Sequence, residues 1–137
     1  MSIRHLSLIA LVAAFSPAFA ATPLAAQLTA YASAARSENP AFAGFSAQRG
    51  EVLHRTEFGR GKPDSPACAS CHGQDPRQPG TARSGKRIDP MALSVTPGRY
   101  ADPAKVEKWF KRNCDEVLGR ACTAQEKGDW LSFVASR

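Results

Sequence analysis

Residues 66–73 read Pro-Ala-Cys-Ala-Ser-Cys-His-Gly, two thiols three positions apart with an imidazole directly after the second. Three chemistries use such spacing, and each demands different surroundings. A four-thiolate zinc site would have to recruit Cys114 and Cys122, yet seven residues separate those two, whereas a zinc knuckle spaces its ligands by roughly two to four. A redox dithiol of the thioredoxin kind opens a helix within a βαβ unit, and nothing in this chain reads as a strand. Covalent attachment of a haem explains more. Cys68 and Cys71 lie one helical turn apart, so their sulfurs reach the two vinyl groups of one porphyrin. His72 is then held close enough to present Nε2 to the iron from one face. A Cys-x-x-Cys-His run in an exported helical chain is the attachment signal of a single haem c.

The export reading comes from the N-terminus. Arg4 precedes a mostly apolar run from Leu6 to Phe15, Pro17 breaks it, and Ala18-Phe19-Ala20 is a small-x-small cleavage site. These are the parts of a secretory signal peptide over residues 1–20, with cleavage falling between Ala20 and Ala25. The run is about half the ~20 apolar residues that a spanning helix needs. The remaining chain, with a cytochrome domain over 26–137, is then expected in a periplasm. Removing Arg4 lowers the formal net charge from +6 to +5, a balance that suits an acidic partner or a membrane surface. It does not suit nucleic acid, for no basic stripe is interleaved with aromatics. A domain this small has a modest core, so a buried macrocycle or a disulfide is expected to help hold it together.

The rest of the pattern is helical. A short helix is expected at Tyr31–Arg36, and an amphipathic one at Ser46–Thr56 with Ser46 as cap. Gly50 inside the second helix costs about 1 kcal/mol relative to Ala, which suggests a close backbone approach. Residues 73–100 are dense in Gly, Pro and charge and read as irregular loop, long enough to wrap something. One of its carbonyls is expected to accept His72 Nδ1–H. Asp102 and Pro103 open a helix as N-cap and first residue, with Val106, Trp109, Phe110 and Asn113 on one face. Thr123 and Glu126 form a capping box before a last helix carrying Trp130, Leu131, Phe133 and Val134. In an oxidising compartment the leftover thiols, Cys114 and Cys122, are expected to pair as a disulfide.

Function then turns on the iron face opposite His72, since a strong sixth ligand makes an electron carrier and a weak one leaves the iron open to small molecules. Met91 lies only 19 residues past His72; it reads as a haem-edge packing residue and is the main alternative ligand. His54 reads as exposed or partly buried and not metal-bound. On spacing alone Asn113 is an ordinary asparagine near a helix end. Of the basic residues, Arg77, Arg83, Lys86 and Arg87 are candidates for haem propionates or a redox partner, or simply a solvated loop.

From about Phe45 to Ser136 the chain resembles the high-spin c-type cytochromes typified by sphaeroides haem protein, which are related to cytochrome c″. The resemblance is carried by Cys68-Ala-Ser-Cys71-His72, by Gly85-Lys-Arg-Ile-Asp-Pro-Met-Ala92, by Lys105-Val-Glu-Lys-Trp-Phe-Lys-Arg-Asn113-Cys114 and by Cys122-Thr-Ala-Gln-Glu-Lys-Gly-Asp-Trp130. It implies a mainly α, single-domain class I cytochrome c-like fold around one covalent haem c. Cys68 and Cys71 are its thioether residues, His72 the proximal ligand and Asn113 the distal ligand of the ferric state. It implies redox-gated binding of oxygen, nitric oxide or another diatomic molecule. Electrons would come from a partner cytochrome, dihaem c-type or membrane b-type. The rival expectations are a plain electron-transfer cytochrome with a permanent sixth ligand, and a reductase or peroxidase acting on a small oxidant. No distal acid–base pair is evident in the sequence, which weighs against the enzyme.

Overall fold

The computed structural model describes residues 22–137; the signal-peptide reading of residues 1–20 lies outside them. Five helices and one short hairpin follow in chain order. Helix α1 spans Pro23–Glu38, with the Thr22 side chain accepting from the Ala25 amide at 3.2 Å, Pro23 in its first turn and Asn39 as C-cap. It begins well before the expected Tyr31. Its alanine-rich sequence has little sidedness, so periodicity hid the first two turns. They form because Leu24, Leu28 and Tyr31, one turn apart, pack on the apolar core.

Helix α2 (Ala47–Arg55) starts where expected, Ser46 accepting from the Arg49 amide. Its Gly50 is buried against α5 (Ala124–Ala135). A Cβ at that position would collide with the Asp129 backbone carbonyl and with Phe133 Cβ, so the close approach inferred from the sequence is real. The two helices are also tied by Asp129, whose buried carboxylate accepts from the Ser46 amide at 2.6 Å, Arg49 Nε at 2.7 Å and Arg49 Nη2 at 2.8 Å. Helix α5 has the expected capping box: Glu126 N–H donates to Thr123 Oγ1 at 3.1 Å and Thr123 N–H to Glu126 Oε2 at 2.8 Å.

Helix α3 (Ala69–His72) is one turn that carries Cys71 and His72 of the Cys-x-x-Cys-His run, with Cys68 as its N-cap. The segment after it is not wholly irregular. Strands β1 (Gly80–Thr81) and β2 (Arg87–Ile88) pair antiparallel with Gly80 opposite Ile88 and Thr81 opposite Arg87. Two residues per strand are too few to show alternation, which is why no strand was legible. The rest of the loop is held by isolated bonds: Ala92 N–H to Pro76 O at 2.8 Å, Leu93 N–H to Val134 O at 3.1 Å and Tyr100 O–H to Met91 O at 2.6 Å. Met91, Ala92 and Tyr100 are buried.

Helix α4 (Pro103–Leu118) opens on Asp102, which accepts from the Lys105 amide, and closes on Gly119 at φ 67°. Of its expected apolar face, Val106 is buried and Phe110 half-buried, while Trp109 is 45 % exposed under the Arg112 guanidinium. The core gathers Met91, Tyr100, Val106, Trp130, Leu131, Phe133 and Val134. No helix of the described residues is long and apolar enough to cross a membrane.

Candidate haem site

Cys68 and Cys71 are half-buried at the single turn of α3, Cys68 as its N-cap, and neither is in a disulfide. That turn is helical by local bonding: Cys71 and His72 amides both donate to the Cys68 carbonyl, and the Gly73 amide to Ala69 O at 2.9 Å. Burial, opposed in part by a backbone hydrogen bond, pushes the Cys68 thiol up to about 11. A redox dithiol needs the opposite, a thiol depressed toward neutrality. A four-thiolate zinc site is excluded by the other pair, for Cys114 and Cys122 are joined in a disulfide with a Cα–Cα distance of 5.6 Å. Among the described residues no cluster of three or more His, Cys, Asp or Glu could hold a metal ion.

The backbone beneath the motif is crowded. A Cβ on Gly80 would run into the Cys71 carbonyl and lie 2.9 Å from His72 Cα, so β1 can back directly onto α3 only as glycine. Gly73 ends the turn at φ 73°, ψ 171°, a conformation essentially reserved for glycine. His72 itself is held neutral. Burial first, then the nearby His54 and Arg99, bring its pKa down to about 4. A neutral imidazole is the form that ligates iron. Its Nδ1 is enclosed with no hydrogen-bond partner among the described residues, so the loop carbonyl expected to accept from it is not engaged. Two cysteines at one turn, outside the disulfide and beside an enclosed, uncharged imidazole, fit covalent haem attachment.

His54 departs most from expectation. It is fully buried, not exposed or partly so. Its Nε2 lies 2.8 Å from Gly73 O, and its Nδ1 accepts from Trp130 Nε1 at 3.2 Å. An indole N–H can only donate, so Nδ1 is the acceptor, and the ring proton sits on Nε2 and donates to Gly73 O. Burial holds its pKa below the usual histidine range, against the partial offset of that backbone hydrogen bond. Both nitrogens are committed, and His54 cannot be a distal ligand as it stands. Met91 is 7 % exposed, built into the apolar core. Asn113 is half-buried on α4 beside Cys114, and its side chain makes no hydrogen bond among the described residues.

The loop leading into the motif is anchored near Asn113. Lys62 N–H donates to Glu116 O at 2.7 Å, and Gly61 is pressed against the backbone of Glu116 and Val117. The disulfide from Cys114 to Cys122 closes the end of the same helix. Two of the basic candidates are spoken for by carboxylates: Arg77 pairs with Asp75 at 3.0 Å and Arg83 with Asp64 at 2.6 Å. Lys86 and Arg87 are exposed. Arg99, whose charge helps lower the His72 pKa, was missed, because nothing in its own neighbourhood of the sequence marks it.

Residues 40–134 match a family model described as a domain of unknown function, DUF1924. The chain is 45 % identical over 134 residues to the cytochrome c-type protein SHP of Cereibacter sphaeroides, covering 98 % of each chain. It is 31 % identical over 131 residues to cytochrome c″ of Methylophilus methylotrophus, covering 90 % of this chain and 91 % of that one. The chain belongs to this family of c-type cytochromes. A solved structure described as oxidised SHP, an oxygen-binding cytochrome c, superposes with a TM-score of 0.78 at 43 % identity, over 85 % of this chain and 98 % of that one. Oxidised cytochrome c″ superposes with a TM-score of 0.74 at 30 % identity, over 84 % and 94 %. The fold is the helical cytochrome c fold. Like its relatives, this cytochrome is a haem c protein with one haem per chain.

Proposed function

We propose that this cytochrome binds oxygen or another diatomic ligand under redox control, with Asn113 as the gate. The haem would supply one-electron chemistry and an iron able to bind a small molecule. Cys68 and Cys71 would hold it through their sulfurs, and His72 Nε2 would ligate its iron. The observation that carries the reading is the fate of the strong donors. Both nitrogens of His54 are bonded elsewhere and Met91 is packed into the core. Asn113 remains, an amide with no other commitment among the described residues. An amide oxygen is a hard, weak, neutral donor, suited to ferric iron and poorly suited to ferrous iron. Asn113 would therefore hold the ferric iron and give way to a small molecule on reduction. The relative SHP is described as oxygen-binding, which supports oxygen as one such ligand.

The electron donor is a partner cytochrome with an acidic face, dihaem c-type or membrane b-type. Supporting this, Lys105, Lys108, Lys111 and Arg112 are exposed along α4. A surface cavity of about 530 Å³ lies there, lined by Lys62, Lys108, Lys111 and Arg112 with Asp115 and Glu116. The mature domain begins after the signal peptide and works in the periplasm.

The test is spectroscopic. Asn113→Leu should change the ferric absorption spectrum and leave the haem covalently attached; an unchanged spectrum removes Asn113 from the axial position. Dithionite-reduced wild type should shift its absorption under carbon monoxide. A ferrous spectrum that is low-spin, six-coordinate and blind to carbon monoxide would sink the gating.

A further inference from the structure

His72 carries a problem of orientation. The direction and rigidity of an axial imidazole tune the metal, and such a ring usually donates its second N–H to fix its plane. Here Nδ1 is enclosed and makes no hydrogen bond among the described residues. Its placement has to come from the backbone on either side. On one side is the α3 turn, locked from below by Gly80. On the other is the Gly73 carbonyl, one residue beyond the ring, and that carbonyl receives His54 Nε2–H at 2.8 Å.

The bond joins distant parts of the molecule. His54 sits near the end of α2, 0 % exposed, its ring 5.4 Å from the Phe133 ring centroid. Trp130 on α5 donates to its other nitrogen and thereby fixes the tautomer that can donate to Gly73. The unusual backbone of Gly73, φ 73° and ψ 171°, belongs to the same residue whose carbonyl meets this donor. A chain of Trp130, His54 and Gly73 thus runs from the packed α2–α5 pair to the residue that follows the ligand.

We propose that His54 is a positioning residue for the iron ligand: through the Gly73 carbonyl, with Trp130 fixing its tautomer, it sets the orientation of the His72 imidazole and so the ease with which ferrous iron takes a small molecule. This rests on His72 being the proximal ligand. A side chain that only filled space at this position would need no donor aimed at Gly73.

The experiment compares His54→Asn with His54→Gln in the holoprotein. The glutamine amide reaches far enough to keep a donor on Gly73 O. The shorter asparagine keeps an acceptor for Trp130 and loses the reach. Resonance Raman spectroscopy of the ferrous protein reads the iron–histidine stretching band, and carbon monoxide titration reads affinity. In His54→Asn the band should shift or broaden and affinity change roughly tenfold, the scale typical of outer-shell partners; His54→Gln should stay near wild type. If both variants behave alike in band and affinity, whatever their melting temperatures, His54 is only core and the proposal is overturned. If wild type shows no band sensitive to ¹⁵N-histidine, the reading of His72 fails first and takes this one with it. A variant that does not yield holoprotein leaves a measurement on wild type. In its carbon monoxide form the His54 Nε2 proton should give a slowly exchanging nuclear magnetic resonance signal, and its absence overturns the proposal.

Discussion

Gly50→Ala is a one-methyl change whose outcome two opposing effects decide. Alanine in a helix interior is favoured over glycine by about 1 kcal/mol, so an unpacked site would be stabilised. At Gly50 the new Cβ would overlap the Asp129 carbonyl carbon and oxygen and Phe133 Cβ. The first two are helical backbone and the third is fixed to it, so no flexible side chain can turn aside. Overpacking costs typically about 1–3 kcal/mol, and rigid neighbours put this case at the upper end. The helices must separate, loosening the Asp129 bonds to Ser46 and Arg49 as they do. The net expectation is a loss of about 2 kcal/mol, or a melting temperature lower by about 8 °C for a domain of this size. Thermal unfolding of the holoprotein, followed by far-ultraviolet circular dichroism, measures it. Gly59→Ala is the control, since a Cβ there meets nothing within 4 Å. A Gly50→Ala protein that melts at or above the wild-type temperature would refute the claim that α2 and α5 meet backbone to backbone.

Replacing Cys114 and Cys122 together by alanine opens a short loop, eight positions from one cysteine to the other, and should cost about 2.5 kcal/mol on the chain-entropy model, read by denaturant midpoint with the haem still attached. His54 is depressed below its ordinary 6.5 by burial in the fold, so the unfolded chain takes up that proton first. Stability present above about pH 6.5 should therefore be lost as pH falls below it, and unfolding at pH 7 and 5.5 should show a smaller loss in His54→Gln than in wild type. Signal cleavage after Ala20 leaves Thr22 to cap α1, whereas cleavage at Ala25 would remove the cap and Pro23. Mass spectrometry of the exported protein should find the first, and a chain starting at residue 26 would contradict it.

How legible each feature was depends on how far along the chain its cause reaches. The caps at Ser46, Asp102 and Thr123 were readable because a side chain and the amide it satisfies lie three positions apart. The hairpin at Gly80–Ile88 was not, since its strands are too short to carry a pattern and are set by packing under α3. The basic loop residues looked alike in sequence. Only the fold put Asp64 beside Arg83, 19 positions away, and left Lys86 and Arg87 exposed.

By itself the sequence determined the cofactor chemistry, because two thiols on one turn and the next imidazole are bound by covalent geometry alone. It also supplied the four cysteines and the expectation, met in the fold, that Cys114 and Cys122 are bridged. Tertiary structure decided which candidate donors are bonded or packed elsewhere. His54 is taken by Gly73, 19 positions away, and by Trp130, 76 away, and Met91 is drawn into the core by its apolar neighbours. A buried polar ring must find partners wherever packing supplies them, and no rule of local spacing reaches that far.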